Sequence, residues 1–427
     1  MTKNFDADNP TQRQSSTSSK RALSSSSGSP TPTSSHRAKA FKESTDIPPL
    51  PGHGRLFRPA HRWGTSSSYG STSFSAIFHE NQDKFGSDIF DVPHNAALNA
   101  KSSAAASQKK LNRCIKILRT LPSEETCGDL LNRFVTAKDP LLALPLMRAA
   151  IGSLWGTFRQ NLTAPRTDKK LEDIADVMKK NSGTRWTCIG DPAFGEWPNI
   201  CCGRRLRWEM LGLIFAYFGL AYMHLKVSDP LVEALHEPTN ARQIAAWRMR
   251  HSALMCLQTL KDSETMNEMV IILMRAVMLL DNLFFGKESK QSEEQRALLV
   301  QATLSSGLYA TPKSPLITAA TEYRRRIFMS VYDADKMMSC FSGLPPLIYK
   351  RHCMMQAPLD LSDDELLGGP AEIAQAASRL DANGWNTDGK IHEVTTYRAL
   401  FELSKIKEDI QENALCMDPV SRRTGVE

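Results

Sequence analysis

Apolar residues recur at steps of three and four along most of the chain after residue 70, which is the period of an α-helix. Sustained alternation of apolar and polar residues, the mark of a half-buried strand, is almost absent. The strongest helical segments are 204–225, 241–260, 265–285, 296–306, 322–341 and 390–411. We therefore expect an all-α fold, a multi-helix domain of about a dozen helices joined by short to medium loops.

Two of these segments have patterns that also predict where they pack. Segment 204–225 is apolar on nearly every side beyond Glu209, which predicts a central helix. Segment 322–341 carries a single apolar stripe, which consists of Tyr323, Ile327, Val331, Ala334, Met338 and Phe341. Gly343 and the prolines after it should end that helix.

Helix starts are marked by residues that favour the N-cap position. Ser123 precedes two acidic residues, and Thr167 precedes a stripe of apolar residues at helical spacing. Ser362 is followed three residues later by Glu365, which is the spacing of a capping box. We expect a helix to begin after each of these three residues.

The first 51 residues are rich in Ser and poor in apolar residues. Such a composition cannot bury enough surface to offset the entropy lost on ordering. We therefore expect a disordered, basic, Ser- and Pro-rich tail over residues 1–64, a helical body over 65–415 and a short C-terminal tail over 416–427.

The chain of 427 residues has a formal net charge of +7, and this charge is unevenly spread. Residues 1–70 hold ten basic and four acidic residues, a net charge of +6, which leaves only +1 for the rest. A nearly neutral body is unlike most nucleic-acid binders. The longest uncharged apolar run, 210–225, is shorter than the roughly 20 residues of a membrane span. With no secretory signal in the first 30 residues, we expect a soluble intracellular protein without membrane contact.

The nine cysteines and ten histidines form no known metal-binding motif. No two cysteines have C-x₂-C spacing, and the adjacent Cys201 and Cys202 are poorly placed to bind one tetrahedral zinc ion. His224 and His251 lie in apolar segments without an evident partner. The sequence also lacks the phosphate-binding, dinucleotide-binding, zinc-protease and nucleophile-elbow motifs. We expect no metal or cofactor in this chain.

An all-α enzyme of the isoprenoid-cyclase type is the enzyme alternative. It would need spaced acidic residues on facing helices to hold magnesium-bound diphosphate. The candidates are Asp333 with Asp335, and a second group that consists of Asp360, Asp363, Asp364 and Glu365. The first two are two positions apart and so point to different helix faces, and the second group is typical of a helix N-terminus. The interpretation favoured here is a protein that is not an enzyme.

Two basic clusters stand in the body, Arg204-Arg205 and the run 324–326. Each opens a helix whose later part is apolar. We interpret them as solvated or packed helix ends, because one small cluster makes too few phosphate contacts for tight nucleic-acid binding.

Six segments, in order along the chain, resemble the fungal-specific transcription factor domain. Residues 69–80 (YGSTSFSAIFHE) resemble its G-x-T-S-F-x-x-x-F-x-E segment, and residues 207–213 (RWEMLGL) resemble its R-W-E-x-L-G-L helix start. Residues 323–328 and 332–336 resemble its signature helix, and residues 343–348 (GLPPLI) resemble its G-R-P-P turn with Leu344 in place of Arg. Residues 357–366 are similar to the acidic and apolar segment after that turn. The residues that carry the resemblance are Arg207, Trp208, Glu209, Gly212, Asp335, Gly343, Pro345 and Pro346.

The resemblance covers roughly residues 65–415 and implies an all-α regulatory domain without catalysis, the middle homology region of the fungal binuclear zinc-cluster transcription factors. The DNA-reading module of that family, a six-cysteine unit that holds two zinc ions, is missing from this sequence. Zinc is therefore expected only in that module, which is either lost or cut off by truncation of the chain.

The implied function is transcription regulation in the nucleus. The implied partners are other transcription factors or coregulators, with a homo- or heterodimer as an option, and DNA only through a partner or a longer product of the same gene. The main alternative is a non-DNA-binding interaction protein that pairs with full-length relatives.

Overall fold

The computed structural model describes residues 104–134, 141, 144–184, 201–235, 240–310, 316–354 and 356–415. The chain divides into two units, Met1–His61 and Arg62–Glu427, and every described residue belongs to the second. The tails predicted over 1–64 and 416–427 and the family-like segment 69–80 lie outside the described residues.

The described part of the chain is built from thirteen α-helices and contains no strand, which confirms the all-α prediction. In chain order they are α1 (Ala104–Arg119), α2 (Glu124–Phe134), α3 (Leu144–Leu162), α4 (Asp168–Gly183), α5 (Trp208–His224), α6 (Pro230–Glu233), α7 (Ala241–Asp262), α8 (Glu268–Phe285), α9 (Lys290–Ser305), α10 (Ala319–Ser342), α11 (Asp363–Leu367), α12 (Pro370–Ala377) and α13 (Glu393–Leu415). No described helix is both long enough and apolar enough to cross a bilayer.

The predicted central helix is α5. All residues from Trp208 to Tyr222 are buried, and α5 packs against α7, α8 and α2. Gly212 allows this close packing, because a Cβ atom there would lie 2.6 Å from a methyl carbon of Leu273 on α8 and 3.0 Å from Cβ of Cys256 on α7. Burial on all sides explains why α5 has no polar face.

The second half of the described chain is organised around α10. This helix packs against α9 on one side and against α13 on another. Tyr332 of α10 contacts Phe401 of α13, and the next turns of both helices stay in contact as far as Cys340 and Gln411. The two helices therefore run in the same direction.

Helix caps follow the predictions closely. The Ser123 hydroxyl accepts a hydrogen bond from the backbone N–H of Thr126 at 3.2 Å, and Ser362 and Glu365 form the predicted capping box. Thr167 occupies the N-cap position of α4, although its side chain makes no capping hydrogen bond. The stripe on α4 is buried as predicted, at Leu171, Ile174, Ala175 and Met178.

Three predicted details are wrong. Helix α5 begins at Trp208 rather than at 204, because residues Gly203–Arg205 form a separate 3₁₀ turn. Helix α9 begins at Lys290 rather than at 296, where Ser289 caps a polar first turn that the apolar pattern did not reveal. On α10 the stripe is buried except at Ala334, which is half-buried, and at its end, where Phe341 is 45% exposed with the ammonium of Lys287 4.6 Å from its ring.

Candidate functional site

Two motifs of the resemblance, the signature helix and the turn after it, meet at Asp335. This residue is fully buried on α10. Its carboxylate accepts hydrogen bonds from the backbone N–H of Leu347 at 3.1 Å and of Ile348 at 3.0 Å. It also accepts one from Nη1 of Arg296 on α9 at 2.8 Å. Asp335 therefore holds the turn 343–348 against two helices.

Lys336, the next residue along α10, extends this arrangement to α13. Its buried ammonium lies 3.0 Å from Oδ2 of Asp335 and 3.1 Å from Oε2 of Glu408, and it donates to the carbonyl oxygen of Ile348. Glu408 in turn accepts from the hydroxyl of Tyr332 at 2.6 Å and from the backbone N–H of Lys350 at 2.8 Å. We call Asp335, Lys336, Arg296 and Glu408, with Glu293 beside Arg296, the Asp335 cluster.

The Asp335 cluster pairs two cations with three carboxylates, and the side chain of Glu293 at its edge is 30% exposed. Lys336 and Arg296 are cationic, and the carboxylates of Asp335, Glu408 and Glu293 surround them. Burial, followed by the hydrogen bond to Glu408, raises the pKa of Tyr332, which keeps its hydroxyl protonated as a donor. Buried charges are tolerated only when paired and hydrogen-bonded in this way, so the cluster joins helices rather than exposing a reactive group.

The turn after α10 has the conformation that its sequence predicts. Gly343 adopts φ of +68° as the left-handed C-cap of α10, and its backbone N–H bonds to the carbonyl oxygen of Ser339. Leu344 and Pro345 are exposed, whereas Pro346 is buried. Leu344, which stands where the resembled family has Arg, is 48% exposed.

An open-sided cavity of about 380 Å³ lies beside this turn. Its walls include Leu304, Tyr309, Leu347, Tyr349, His352 and Cys353. Burial raises the pKa of the Cys353 thiol to about 11, so it is protonated and a poor nucleophile at neutral pH. The lining is mainly apolar and aromatic, with a few hydroxyl and ring nitrogen groups.

A second buried cluster lies at the start of α5, where Arg207, Trp208 and Glu209 stand. Oε1 of Glu209 accepts from Nε and Nη2 of Arg207 at 3.1 and 3.0 Å, and from Nδ2 of Asn267 at 2.8 Å. Oε2 of Glu209 accepts from the hydroxyl of Ser182 at 2.8 Å, and that hydroxyl accepts from the backbone N–H of Trp208 at 2.9 Å. This Glu209 cluster ties together α4, α5 and the N-terminus of α8.

Of the acidic residues considered for diphosphate binding, Asp364 is exposed, and the others are engaged in internal contacts. Asp333 accepts from Ser404 at 2.6 Å and lies apart from Asp335, as their spacing predicts. Asp363 accepts from Tyr323 at 2.8 Å and from Arg326 at 2.5 Å, and Asp360 accepts from Thr395 at 2.7 Å. Among the described residues, no group of three or more His, Cys, Asp or Glu residues is placed to hold a metal ion.

The two basic clusters differ in their surroundings. Arg204 and Arg205 are exposed, whereas Arg326 is fully buried against Asp363. Arg325 pairs with Glu322 on the same helix and also donates to Gln356. The run 324–326 is therefore packed rather than solvated, but it lies in the second turn of α10, which begins at Ala319, and not at a helix end as predicted.

The cysteines and histidines singled out in the sequence form no common site. Cys201 and Cys202 are both buried, and hydrogen bonding with Cys201 lowers the pKa of Cys202 against the opposing effect of burial. His224 is exposed, and its Nδ1 lies 2.8 Å from the carbonyl oxygen of Leu220. His251 is also exposed, and burial of part of its ring lowers its pKa.

Sequence reasoning did not identify Arg296, Glu408 or Asn267 as members of the two buried clusters. Arg296 is separated from Asp335 by 39 residues and Glu408 from Tyr332 by 76. No local spacing links such residues, and in the sequence Arg296 and Glu408 look like ordinary charged residues on a solvated helix face. Comparison of the chain with protein-family models, curated proteins and solved structures found no match.

Proposed function

We propose that this chain is a transcription regulator of the fungal zinc-cluster type, represented by its helical regulatory domain, which acts in the nucleus through contacts with partners or with an effector. The observation that carries the proposal is the joint between α10 and the turn 343–348. Asp335 binds that turn through the N–H groups of Leu347 and Ile348. Two separate motifs of the resemblance therefore form one physical unit.

The second support comes from the other motif, residues 207–213. Arg207 and Glu209 form a buried ion pair with a closest N–O distance of 3.0 Å, and Gly212 allows α5 to approach α8. Residues of this kind hold a helical domain together. This role fits a regulatory domain whose output is a surface presented to partners, rather than a set of reacting groups.

A fusion experiment tests the proposal. The full chain is joined to an unrelated DNA-binding module, and transcription is measured from a reporter with that module's operator in a fungal host. We expect the fusion to raise or lower transcription at least several-fold relative to the module alone. A fusion that folds, reaches the nucleus and leaves transcription at the level of the module alone would contradict the proposal.

A matched variant makes this test specific. Leu344→Ala changes an exposed residue of the turn, whereas Leu298→Ala changes a similarly exposed residue on α9, which serves as control. If the turn presents a partner surface, only the first variant should change transcription. Equal effects of both variants would count against a role for the turn.

The alternative is a non-DNA-binding interaction protein that pairs with full-length relatives. The low net charge of the helical body supports this alternative. The chain after residue 70 has a net charge of only +1, and Arg325 and Arg326 are engaged in ion pairs inside the fold. We propose that occupancy of promoters occurs through a partner or a longer gene product. Selection from random DNA duplexes at physiological salt tests this, since one enriched motif bound by the purified chain would contradict it.

A further inference from the structure

Two cysteines are neighbours in the chain immediately before the 3₁₀ turn Gly203–Arg205. Cys201 and Cys202 are both buried and reduced. The backbone N–H of Gly203 donates to the hydroxyl of Ser153 at 2.9 Å, which holds this segment against α3. What two adjacent thiols can do depends on whether their sulfur atoms meet.

The backbone brings the two thiols to the same side of the chain. Successive side chains point to opposite faces in a strand and are turned by about 100° in a helix, so neighbours in either element are kept apart. Cys201 has a helical backbone, whereas Cys202 is extended, with φ of −115° and ψ of 164°. A helical residue followed by an extended one is the backbone of a type VIII turn. At this change of conformation the two thiols hydrogen-bond to each other.

The surroundings of Cys202 favour its thiolate. Hydrogen bonds with Cys201 and Ser153 lower the pKa of Cys202 and outweigh the effect of burial, which acts in the opposite direction. Burial instead raises the pKa of Cys127, to about 12. The thiolate is the form of cysteine that reacts with oxidants. Cys202 also keeps 8% of its surface exposed, which gives a small uncharged reagent access to its sulfur.

We propose that Cys201 and Cys202 form a reversible oxidation site, at which a peroxide converts the two thiols into a disulfide between neighbouring residues. The inference does not rest on the proposed role in transcription. Neighbouring Cα atoms across a trans peptide lie about 3.8 Å apart, below the roughly 4.4 Å that most disulfides need. Such a disulfide is strained and therefore easily reduced, which suits a reversible modification.

The oxidation takes two steps, with hydrogen peroxide as the oxidant. The Cys202 thiolate attacks one peroxide oxygen, the O–O bond breaks, and the departing hydroxide takes a proton to form water, which leaves a sulfenic acid on Cys202. The Cys201 sulfur then loses its proton and attacks Sγ of Cys202, and the S–O bond breaks to release a second water. A dithiol reductant reverses the change by thiol–disulfide exchange and is itself oxidised to a disulfide.

The effect of this disulfide on the fold should be local. It joins neighbours in the chain, so it closes no long loop and constrains the unfolded chain very little. What changes is the turn itself, because the two thiols lose the protons that now form hydrogen bonds. The site is therefore a reversible mark on the protein surface beside the exposed Arg204 and Arg205, not a staple between helices.

Peptide mapping of the full chain tests the proposal. The folded protein is treated with a small molar excess of hydrogen peroxide, remaining thiols are alkylated in denaturant, and the chain is digested with trypsin and a glutamate-specific protease. Peptide 197–204 then holds Cys201 and Cys202 and no other cysteine, and Cys188 falls on a separate peptide. We expect peptide 197–204 to lose two hydrogen atoms and carry no alkyl group, and to gain two alkyl groups when a dithiol reductant precedes alkylation.

The matched control is Cys127 in the same sample, a buried thiol on tryptic peptide 120–133. Because its pKa is raised, Cys127 should be oxidised at least about ten-fold more slowly than the pair. Two variants assign the steps, with helical content as the check on folding. Cys201→Ser should leave a sulfenic acid on Cys202 that dimedone traps, and Cys202→Ser should leave Cys201 reduced at the same dose.

Four results would overturn the proposal. The first is a peptide 197–204 that carries two alkyl groups after peroxide treatment. The second is the same peptide joined to the one that holds Cys188, since the disulfide would then link other partners. The third is oxidation of Cys127 at the same rate, which would indicate general oxidation of the chain. The fourth is a folded Cys202→Ser variant in which Cys201 is oxidised as fast as in the unmodified protein.

Discussion

Replacing Glu209 by Gln should lower the free energy of unfolding by about 3 kcal/mol. Glu209 is fully buried, and its charge is matched by the buried guanidinium of Arg207. Gln keeps an oxygen for Arg207 and Asn267 but removes the negative charge. It also places an amide group where the hydroxyl of Ser182 now donates to Oε2.

The magnitude follows from what remains around Arg207. Removing one partner of a buried ion pair costs about 3 to 5 kcal/mol, because the other charge stays buried without compensation. Arg207 keeps hydrogen bonds to the carbonyl oxygens of Asn181, of Ser182 at 3.2 Å and of Thr184 at 3.1 Å. These three acceptors place the expected loss at the lower end of that range.

Urea unfolding followed by circular dichroism at pH 7 measures this change, with an unchanged slope as the sign that both proteins unfold from similar states. Glu294→Gln is the matched control: its side chain is 62% exposed and lies 3.8 Å from Lys290, so its loss should stay within about 0.5 kcal/mol. A loss below about 1 kcal/mol for Glu209→Gln, at unchanged slope, would refute the view that the buried pair holds α4, α5 and α8 together.

Three further tests, with five substitutions between them, give distinct expected outcomes. Burial raises the pKa of Glu268. Its carboxylate oxygens lack hydrogen-bond partners among the described residues. Ionisation of Glu268 therefore lowers the stability of the folded state as pH rises above the pKa of an unfolded Glu. Glu268→Gln should accordingly stabilise the protein at pH 7, and urea unfolding should show this gain vanishing near pH 4; a gain that is constant with pH would contradict the reasoning. Gly212→Ala should destabilise by about 1 to 3 kcal/mol through overpacking, whereas Gly152→Ala, with nothing within 4 Å of the new Cβ, should stabilise by about 0.5 to 1 kcal/mol; thermal melts with the same sign for both would be inconsistent with the packing described. Ile327→Ala should cost about 2 to 5 kcal/mol in urea, since the side chain is 1% exposed, and Phe341→Ala, at 45% exposed, should cost clearly less; equal losses would mean that the stripe on α10 is not the buried face.

Features encoded by neighbouring residues could be predicted from the sequence. The four residues that begin at Ser362 determine the capping box of α11, and Gly343 determines the left-handed C-cap of α10. The central position of α5 followed from its lack of a polar side. In each case the deciding interactions lie within a few residues or one helix.

Features that depend on distant residues could not be predicted in the same way. Arg296 and Glu408 were indistinguishable from solvated charges until the fold brought them to Asp335 and Lys336. The orientation of α13 was hidden for a related reason: pattern analysis assigns apolar residues to the inside, and here hydrogen bonds hold the inner face. The cavity beside the turn is lined by residues from several segments between α9 and Cys353. No rule of sequence spacing predicts that these segments come together.

The position of Glu408 near the end of the described chain has a consequence during protein synthesis. Tyr332 and Lys336 leave the ribosome long before the carboxylate that completes their contacts, since Tyr332 precedes Glu408 by 76 residues. At about 5 to 20 residues per second, this interval lasts about 4 to 15 s. During that time Lys336 of α10 lacks the carboxylate of Glu408, and α10 lacks its packing against α13. A nascent chain stalled before residue 408 should therefore bind chaperones and be cut readily by proteases within α10. Once α13 has left the ribosome, both the chaperone binding and the cleavage within α10 should stop.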